Sequence, residues 1–241
     1  MLPEKTVLIF VHGAMGSHNI WKKQVERLSS KVKILAVDLP GHEENQCTEI
    51  PNLNSYIAYL KETIEQNQVE KVILAGHSMG GGVVMLYYLQ YPEKVAGLIL
   101  VGTGARLKVM PIILELTKKD IPQVVKMMGT VAFHKKTKKY NPEIIEEVSK
   151  SMACISSTIG HQDFSICNNF DVMDKITAIK IPTLIICGDD DKLTPVKYSR
   201  YLNEHIPASK LHIVENAGHM VMVEQPTIVN EAIEEFLESL E

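Results

Sequence analysis

Short apolar runs alternate with amphipathic stretches along most of this chain, and that alternation constrains the fold more than any other feature. Six runs rich in Val, Ile and Leu predict strands at residues 6–11, 32–37, 72–75, 97–101, 181–187 and 211–214. Most of them lack polar alternation, which is typical of strands covered on both faces. Apolar positions three and four residues apart predict helices at 21–28, 53–66, 83–90, 196–205 and 226–240. We therefore expect an α/β fold, with a mostly parallel sheet of about six strands flanked by helices.

One long segment interrupts this alternation. Residues from about 105 to 177 contain no convincing strand, and their sequence is helical in pattern and rich in Met and Lys. Because they lie between the fourth and fifth predicted strands, a helical insertion there would cover the carboxyl ends of the sheet. We expect a core formed by residues 1–104 and 178–241, with residues 105–177 inserted as a helical lid. No linker rich in Pro, Gly or Ser marks the segment as an independent domain.

Composition places the chain among ordinary globular proteins. Its 241 residues are 45% hydrophobic and 22% charged, which is enough apolar content for one domain with a sizeable core. The net charge of −4 gives no reason to expect binding to nucleic acid or to an anionic membrane. No apolar window approaches the roughly 18 residues needed to cross a bilayer, so we expect no stable membrane insertion.

Two further features favour a cytoplasmic location. The start of the chain lacks the basic residues, long apolar run and cleavage site of a secretory signal. The cysteines Cys47, Cys154, Cys167 and Cys187 are dispersed, with no Cys-x-x-Cys spacing, so we expect reduced thiols. The oligomeric state is left open.

The most informative motif is Gly-x-Ser-x-Gly at residues 76–80, which is centred on Ser78. It follows a predicted strand and precedes a helical pattern, and this is the context that a nucleophile elbow requires. A tight strand-to-helix turn lifts the serine hydroxyl above the sheet and places it at a helix N-terminus, where N–H groups can stabilise negative charge. We interpret Ser78 as a catalytic nucleophile rather than an ordinary turn serine.

A serine hydroxyl needs a base to take its proton, and the base needs an acid to orient it. His219 lies in a loop just after the last predicted strand, which places it at the same edge of the sheet as Ser78. An acid between them in chain order comes from the aspartates at 189–191, directly after the predicted strand at 181–187. These residues predict a Ser-Asp-His arrangement at one edge of the sheet.

Together these motifs resemble the α/β-hydrolase superfamily, particularly its small lidded esterases, lactonases and carbon–carbon bond hydrolases. The resemblance is carried by residues 12–16 (HGAMG), 38–42 (DLPGH), 76–80 (GHSMG), 188–195 (GDDDKLTP) and 218–219 (GH). The chain order Ser, Asp, His is also that of the superfamily. By this resemblance the orienting acid is Asp191, with Asp190 as the alternative. The backbone N–H groups of Ala14 and Met79 are implied as the oxyanion hole.

The sequence departs from the superfamily pattern in two places. The first predicted strand begins at residue 6, so we expect the antiparallel hairpin that opens many of these folds to be absent. Glu43 and Glu44 follow Gly41 and His42, where the usual pattern is Gly-His-Gly. Neither departure involves Ser78, Asp191 or His219.

Several methionines are candidates to line an acyl pocket, because methionine adapts to varied apolar ligands. These candidates are Met15, Met127, Met128 and Met220. Core packing is the alternative, and for Met127 and Met128 the pocket is not favoured over it. The basic run at 134–139 indicates a solvated loop, with attraction of an anionic substrate as the second interpretation.

The sequence favours a carboxylic ester hydrolase for small to medium acyl substrates. It would work through an acyl-enzyme on Ser78, with a small-molecule ester as partner and no metal or organic cofactor. A lactonase, a thioesterase, a carbon–carbon bond hydrolase and a cofactor-free haloperoxidase are alternatives, since one fold and triad host many reactions. A slow small-molecule receptor is the alternative from another class, and it would stall near one product per site.

Overall fold

A computed structural model describes residues 6–240. Its centre is a six-stranded sheet in the order β2-β1-β3-β4-β5-β6, and every strand pairing in it is parallel. The strands are β1 Thr6–Val11, β2 Lys33–Val37, β3 Lys71–His77, β4 Val95–Val101, β5 Thr183–Gly188 and β6 Ser209–Val214. The predicted mostly parallel sheet of about six strands is confirmed.

Helices cover both faces of the sheet, as predicted. The helices are α1 Lys22–Leu28, α2 Leu53–Gln66, α3 Met79–Gln90, α4 Pro111–Lys119, α5 Ile121–Val131, α6 Lys135–Tyr140, α7 Pro142–Ala153, α8 Ser157–Asn169, α9 Val196–His205, α10 Val221–Glu224 and α11 Pro226–Ser239, with 3₁₀ turns at His18–Trp21 and Ile176–Ala178. Within residues 6–240, no helix combines the length and the apolar character that crossing a bilayer would take.

Strand β1 illustrates why the central strands read as uninterrupted apolar runs. Its side chains alternate between the two faces of the sheet, since a strand has a period of two. Val7, Ile9 and Val11 pack in the cluster that includes α2, α3 and α9. Leu8 and Phe10 pack in the opposite cluster, which includes α1 and α11. Both faces are covered, so every position of the strand is buried.

Residues 105–177 contain helices α4 to α8, which lie between β4 and β5. They form a small apolar core, in which Ile113, Val124 and Phe164 are buried together with Met15 from the loop after β1. An isolated bridge between Arg106 and Asp171 joins the two ends of the segment. The helical character of the insertion agrees with the sequence, while its action as a lid and the predicted domain boundaries stay predictions.

Helix α3 begins at Met79, four residues before the start that the apolar spacing predicts. Gly80, Gly81 and Gly82 occupy its first turn, and glycine supplies neither apolar periodicity nor helix propensity. Glycine is needed at these positions because other parts of the chain pass close to the helix and leave little room for a side chain. A Cβ at Gly80 would lie 2.4 Å from the His12 carbonyl oxygen and 2.5 Å from that of Val11.

We predict that Gly80→Ala lowers the free energy of unfolding by about 1–3 kcal/mol or more, because the methyl group meets rigid backbone. The matched control is Gly129→Ala in α5, where a Cβ would meet only Ile145 and Ser149 side chains at 3.4 and 3.6 Å. That variant is expected to gain about 0.5–1 kcal/mol from helix propensity. Urea denaturation of both variants measures the difference, and a Gly80→Ala protein as stable as wild type contradicts the prediction.

Candidate active site

Ser78 lies at the junction between β3 and α3, in a backbone conformation that few residues adopt. Its φ is +53° and its ψ is −116°. Such a conformation costs about 1–3 kcal/mol and persists only where the surroundings hold it. Here the Ser78 N–H donates to the Val101 carbonyl at 2.9 Å, and the Thr103 hydroxyl donates to the Ser78 carbonyl at 2.8 Å. The predicted elbow geometry is therefore present, with the Ser78 side chain half-buried.

Asp191 and His219 are in contact at the ends of β5 and β6. The His219 Nδ1 lies 2.9 Å from the Asp191 Oδ2, and both residues are buried. The carboxylate also accepts two hydrogen bonds from Thr194, whose hydroxyl donates to Oδ2 at 2.7 Å and whose N–H donates to Oδ1 at 2.9 Å. The N–H of Leu193 also donates to Oδ1, at 2.9 Å. This arrangement leaves the other ring nitrogen of His219 available for a reacting group.

The environment of Asp191 favours its ionised form. Burial alone would raise the pKa of this carboxyl, but the charge of His219 and the hydrogen bonds from His219 and Thr194 lower it below its ordinary value. A carboxylate in this position stabilises an imidazolium that forms on His219 and fixes which nitrogen of the ring carries the proton.

The other two aspartates of the run do not contact His219. Asp189 accepts the Ala217 N–H at 3.2 Å, and Asp190 forms an ion pair with Lys192 at 3.6 Å. The structure thus brings Asp191, rather than Asp190, to the histidine.

A second histidine supports the His219 loop. The His77 Nε2 lies 3.1 Å from the His219 carbonyl oxygen, and the centroids of the two rings are 4.6 Å apart. Burial, and then the nearby His219, lower the pKa of His77 well below its ordinary value. His77 is therefore neutral and donates its Nε2–H to the loop, which agrees with a structural role.

The loop that carries His219 is also tied to the helical insertion. The carbonyl of Ala132 accepts the His219 N–H at 2.7 Å. Glu224 is buried, and its carboxylate accepts the N–H groups of Gly218 and His134 at 2.7 and 2.8 Å and the Thr137 hydroxyl at 2.6 Å. The backbone before His219 is thus held by a carboxylate that also holds the start of α6.

The two candidate oxyanion donors flank Ser78. Met79 is the first residue of α3, so its N–H has no acceptor within the helix. Ala14 lies in the loop after β1, and both Ala14 and Ser78 line the same cavity. Gly13 packs close to the nucleophile, since a Cβ there would lie 3.1 Å from the Ser78 Cβ. The loop after β1 is therefore adjacent to the serine, as an oxyanion hole requires.

Ser78 and His219 open onto a cavity of about 870 Å³ between the sheet and the insertion. Its apolar wall is formed by Leu107, Val109, Ile113, Val148, Met152, Phe164 and Leu193. This volume lies within the range typical of small-molecule sites. Within the described part of the chain, no group of three or more His, Cys, Asp or Glu side chains is placed to hold a metal ion.

The four candidate pocket methionines divide into two pairs. Met128 and Met220 line the cavity. Met15 is fully buried against Gly160 of α8, and Met127 packs in the core of the insertion, so neither of them is among the lining residues. Sequence position near the motifs could not separate the two pairs, because the direction of each side chain depends on tertiary packing.

The basic run does not form the loop that its composition suggests. Residues 135–140 form helix α6, with His134 as the N-cap whose side chain accepts the Lys136 N–H at 3.1 Å. None of the described residues from 135 to 139 lines the cavity. Attraction of a substrate by this run therefore has no support from its position.

Three polar residues with direct roles in the site geometry were not anticipated from the sequence. Thr194 contacts Asp191, Glu224 holds the His219 loop, and Asp163 of α8 accepts the Met15 N–H at 2.8 Å. The position of Thr194, just after Asp191 in the sequence, was a signal that could have identified it as a partner of the acid. The positions of Glu224 and Asp163 gave none, because charged residues are common on helix surfaces and their burial appears only in the folded chain.

Taken together, the parallel sheet, the strained serine after β3 and the Asp–His pair after β5 and β6 define a member of the α/β-hydrolase superfamily. The family model described as serine aminopeptidase, S33, matches residues 3–226, and the chain belongs to that family. It is therefore a hydrolase of the α/β-hydrolase superfamily.

Similar proteins include several esterases. A structure described as that of a thermophilic esterase is 34% identical, has a TM-score of 0.82 and covers 99% of this chain and 91% of its own. A thermophilic esterase from Thermogutta terrifontis is 25% identical, with a TM-score of 0.90 and coverage of 98% and 90%. The pimeloyl-[acyl-carrier protein] methyl ester esterase of Wigglesworthia glossinidia brevipalpis is 28% identical over an alignment of 250 positions, which covers 95% of this chain and 93% of the relative.

We predict that Asp191→Asn lowers kcat by roughly 10³- to 10⁴-fold, because the amide cannot stabilise the imidazolium and permits the wrong tautomer of His219. The control is Asp190→Asn, which removes only an exposed ion pair and is expected to change kcat by less than about threefold. Steady-state hydrolysis assays compare the two variants. A large loss of activity in Asp190→Asn with little loss in Asp191→Asn would reverse the assignment of the acid.

Proposed function

We propose that this protein is a serine hydrolase that cleaves carboxylic esters of small to medium acyl substrates. The observation that carries the proposal is the position of Ser78, which is held at φ +53° on the elbow and shares one cavity with His219, itself hydrogen-bonded to the buried Asp191. A strained serine, a base with one free nitrogen and an ionised acid are the parts that acyl transfer requires.

The mechanism has two steps. Ser78 attacks the acyl carbonyl while His219 accepts its proton, and the oxygen that gains charge is bound by the N–H groups of Ala14 and Met79. His219 then gives the proton to the departing alcohol, which leaves an acyl group on Ser78. A water molecule that loses a proton to His219 cleaves this acyl-enzyme and regenerates the serine. Asp191 orients the imidazole throughout.

The cavity supports an acyl substrate of limited size. About 870 Å³ lined by aliphatic and aromatic side chains suits a short or medium apolar chain beside the reacting carbonyl. The similarity to two thermophilic esterases and to a methyl ester esterase supports ester cleavage. The description of the family makes aminoacyl amides a useful comparison substrate.

We expect p-nitrophenyl esters from acetate to dodecanoate to be hydrolysed with an optimum chain length set by the cavity. Ser78→Ala is expected to lower kcat by more than about 10³-fold while leaving the thermal unfolding temperature close to that of wild type. Aminoacyl p-nitroanilides are expected to be cleaved much more slowly than the best ester. Measurement of kcat and KM across the series, for wild type and Ser78→Ala, provides the test.

Each outcome of that series has a distinct meaning. Residual activity above about one thousandth of wild type in Ser78→Ala would count against Ser78 as the nucleophile. Absence of ester turnover, with Ser78 still labelled by a fluorophosphonate, would favour a specialised hydrolase or a slow receptor instead. Product that stops near one molecule per site would identify the receptor.

Charge at the rim of the cavity refines the proposed substrate. The exposed charged residues that line it are Lys22, Lys23, Lys108, Lys192, Lys197, Glu143 and Glu147. Lysines thus outnumber acids there, although the chain as a whole carries a net charge of −4. A surplus of positive charge near a binding site attracts anionic ligands.

We predict that esters with a carboxylate at the far end of the acyl chain have a lower KM than neutral esters of equal length. Monomethyl glutarate against methyl pentanoate is the matched pair, and the ratio of KM values is expected to be roughly fivefold at low salt, since a charge pair in water is worth about 1 kcal/mol. High salt should remove the difference.

A pair of double variants locates the effect. Lys108→Gln with Lys197→Gln is expected to abolish the preference, whereas Lys136→Gln with Lys139→Gln changes the net charge equally at positions outside the cavity lining and should preserve it. Equal KM values for the two esters in the wild-type protein at low salt would show that the rim does not select charge.

A further inference from the structure

A buried carboxylate connects the helical insertion to the loop after β1. Asp163 of α8 is 0% exposed. Its Oδ2 accepts the Met15 N–H at 2.8 Å and lies 2.9 Å from the His42 Nε2. Its Oδ1 accepts the Tyr56 hydroxyl at 2.7 Å. All three partners are buried and come from three separate parts of the core.

His42 in this cluster is not placed to act as a base. Its Nδ1 faces the carbonyl oxygens of Leu39 and Pro40 at 3.2 and 3.3 Å, so both ring nitrogens face oxygen acceptors. Burial alone would lower the pKa of His42, but the Asp163 carboxylate and these carbonyls raise it above its ordinary value. An imidazolium paired with Asp163 therefore fits the site, and the cluster is an internal ion pair with no side chain open to the cavity.

The bond to Met15 matters because of the turn that Met15 occupies. The Gly16 N–H donates to the Gly13 carbonyl at 3.0 Å, which closes a turn over residues 13–16. Met15 is the third residue of this turn and has a φ of +53°, where glycine or asparagine is ordinarily found. A side chain in that conformation costs about 1–3 kcal/mol, so the turn needs an external partner to hold it. The Asp163 carboxylate supplies one.

Ala14, whose N–H is the proposed oxyanion donor, is the second residue of the same turn. If the Met15 N–H loses its acceptor, the turn can relax toward negative φ at Met15, and the Ala14 peptide moves with it. An oxyanion donor displaced by a fraction of an ångström loses much of its effect, since the stabilisation depends on donors preorganised at about 2.7–3.1 Å.

We propose that Asp163 is a positioning residue for the reaction, which holds the turn at 13–16 in the conformation that aims the Ala14 N–H at the reacting oxygen. The inference rests on the proposed function, because it assigns Ala14 to the oxyanion hole. It also gives the insertion a part in catalysis beyond shaping the cavity, because the Asp163 carboxylate on helix α8 holds the turn that carries the Ala14 N–H.

The test uses two readouts. One is the second-order rate constant for phosphonylation of Ser78 by a fluorophosphonate, which requires the oxyanion hole but no knowledge of the natural substrate. The other is kcat and KM on the best p-nitrophenyl ester. Asp163→Ala is expected to lower both the labelling rate and kcat by roughly 10- to 100-fold, with KM changed by less than about threefold, since the lost interaction acts on the transition state.

Three further variants separate positioning from stability. Asp163→Asn keeps an oxygen that can accept the Met15 N–H, so it is expected to retain labelling and kcat within about fivefold of wild type. Tyr56→Phe removes a hydrogen bond from the other carboxylate oxygen; it is expected to lower stability but to leave labelling within about threefold. Asp163→Leu fills the same space without an acceptor and serves if Asp163→Ala does not fold.

The outcomes distinguish this inference from the proposed function. A wild-type protein whose Ser78 does not react with the fluorophosphonate would refute the proposed function itself. A reactive wild type together with a folded Asp163→Ala or Asp163→Leu that labels within threefold of it would overturn only the role of Asp163. If Tyr56→Phe slowed the labelling of Ser78 as much as Asp163→Ala does, the effect of Asp163 would be one on stability and not on the position of the turn.

Discussion

The parallel direction of the strands is the constraint on which the site depends. Because β1, β3, β5 and β6 all run the same way, their carboxyl ends meet at one edge of the sheet. Ala14, Ser78, Asp191 and His219 follow these four strands in turn, so residues separated by up to about 200 positions in sequence converge at this edge. The strained φ of Ser78 is tolerated because the buried strands on each side hold the elbow.

The insertion is bonded to both halves of this site. Asp163 holds the turn after β1, while Ala132 and Glu224 join the insertion to the loop of His219. Lifting the whole insertion away would leave two buried carboxylates without several of their partners, and an unsatisfied buried charge is costly. The same segment that forms the roof of the cavity therefore also braces the groups beneath it. Changes in the insertion are expected to affect chemistry as well as substrate size.

Much of this arrangement was predictable from the sequence, for identifiable reasons. The four central strands were visible because burial on both faces leaves nearly uninterrupted apolar runs. The edge strands β2 and β6 are only partly buried and were visible as short apolar runs. Ser78 and His219 were visible because each lies just after a predicted strand. The early start of α3 was hidden, since its first turn is built from glycines that pack against the His12 and Val11 backbone. Asp163 and Glu224 were hidden for another reason: a carboxylate on an amphipathic helix is ordinarily solvated, and only tertiary contacts bury these two.

Two histidine–aspartate pairs are buried in the described part of the chain, and their surroundings explain why only one suits general base catalysis. Both have a nitrogen-to-oxygen distance of 2.9 Å. In each pair the histidine ring lies 4.6 Å, centroid to centroid, from a second histidine ring that is tilted by 53° to it and that burial keeps neutral. His42 is 0% exposed and has an oxygen acceptor at each ring nitrogen. A proton on either nitrogen is therefore already hydrogen-bonded inside the protein and does not reach a reacting group. His219 bonds its carboxylate through Nδ1 alone and lines the cavity. The free Nε2, rather than the presence of an aspartate, is what the proposed proton exchange between His219 and Ser78 requires.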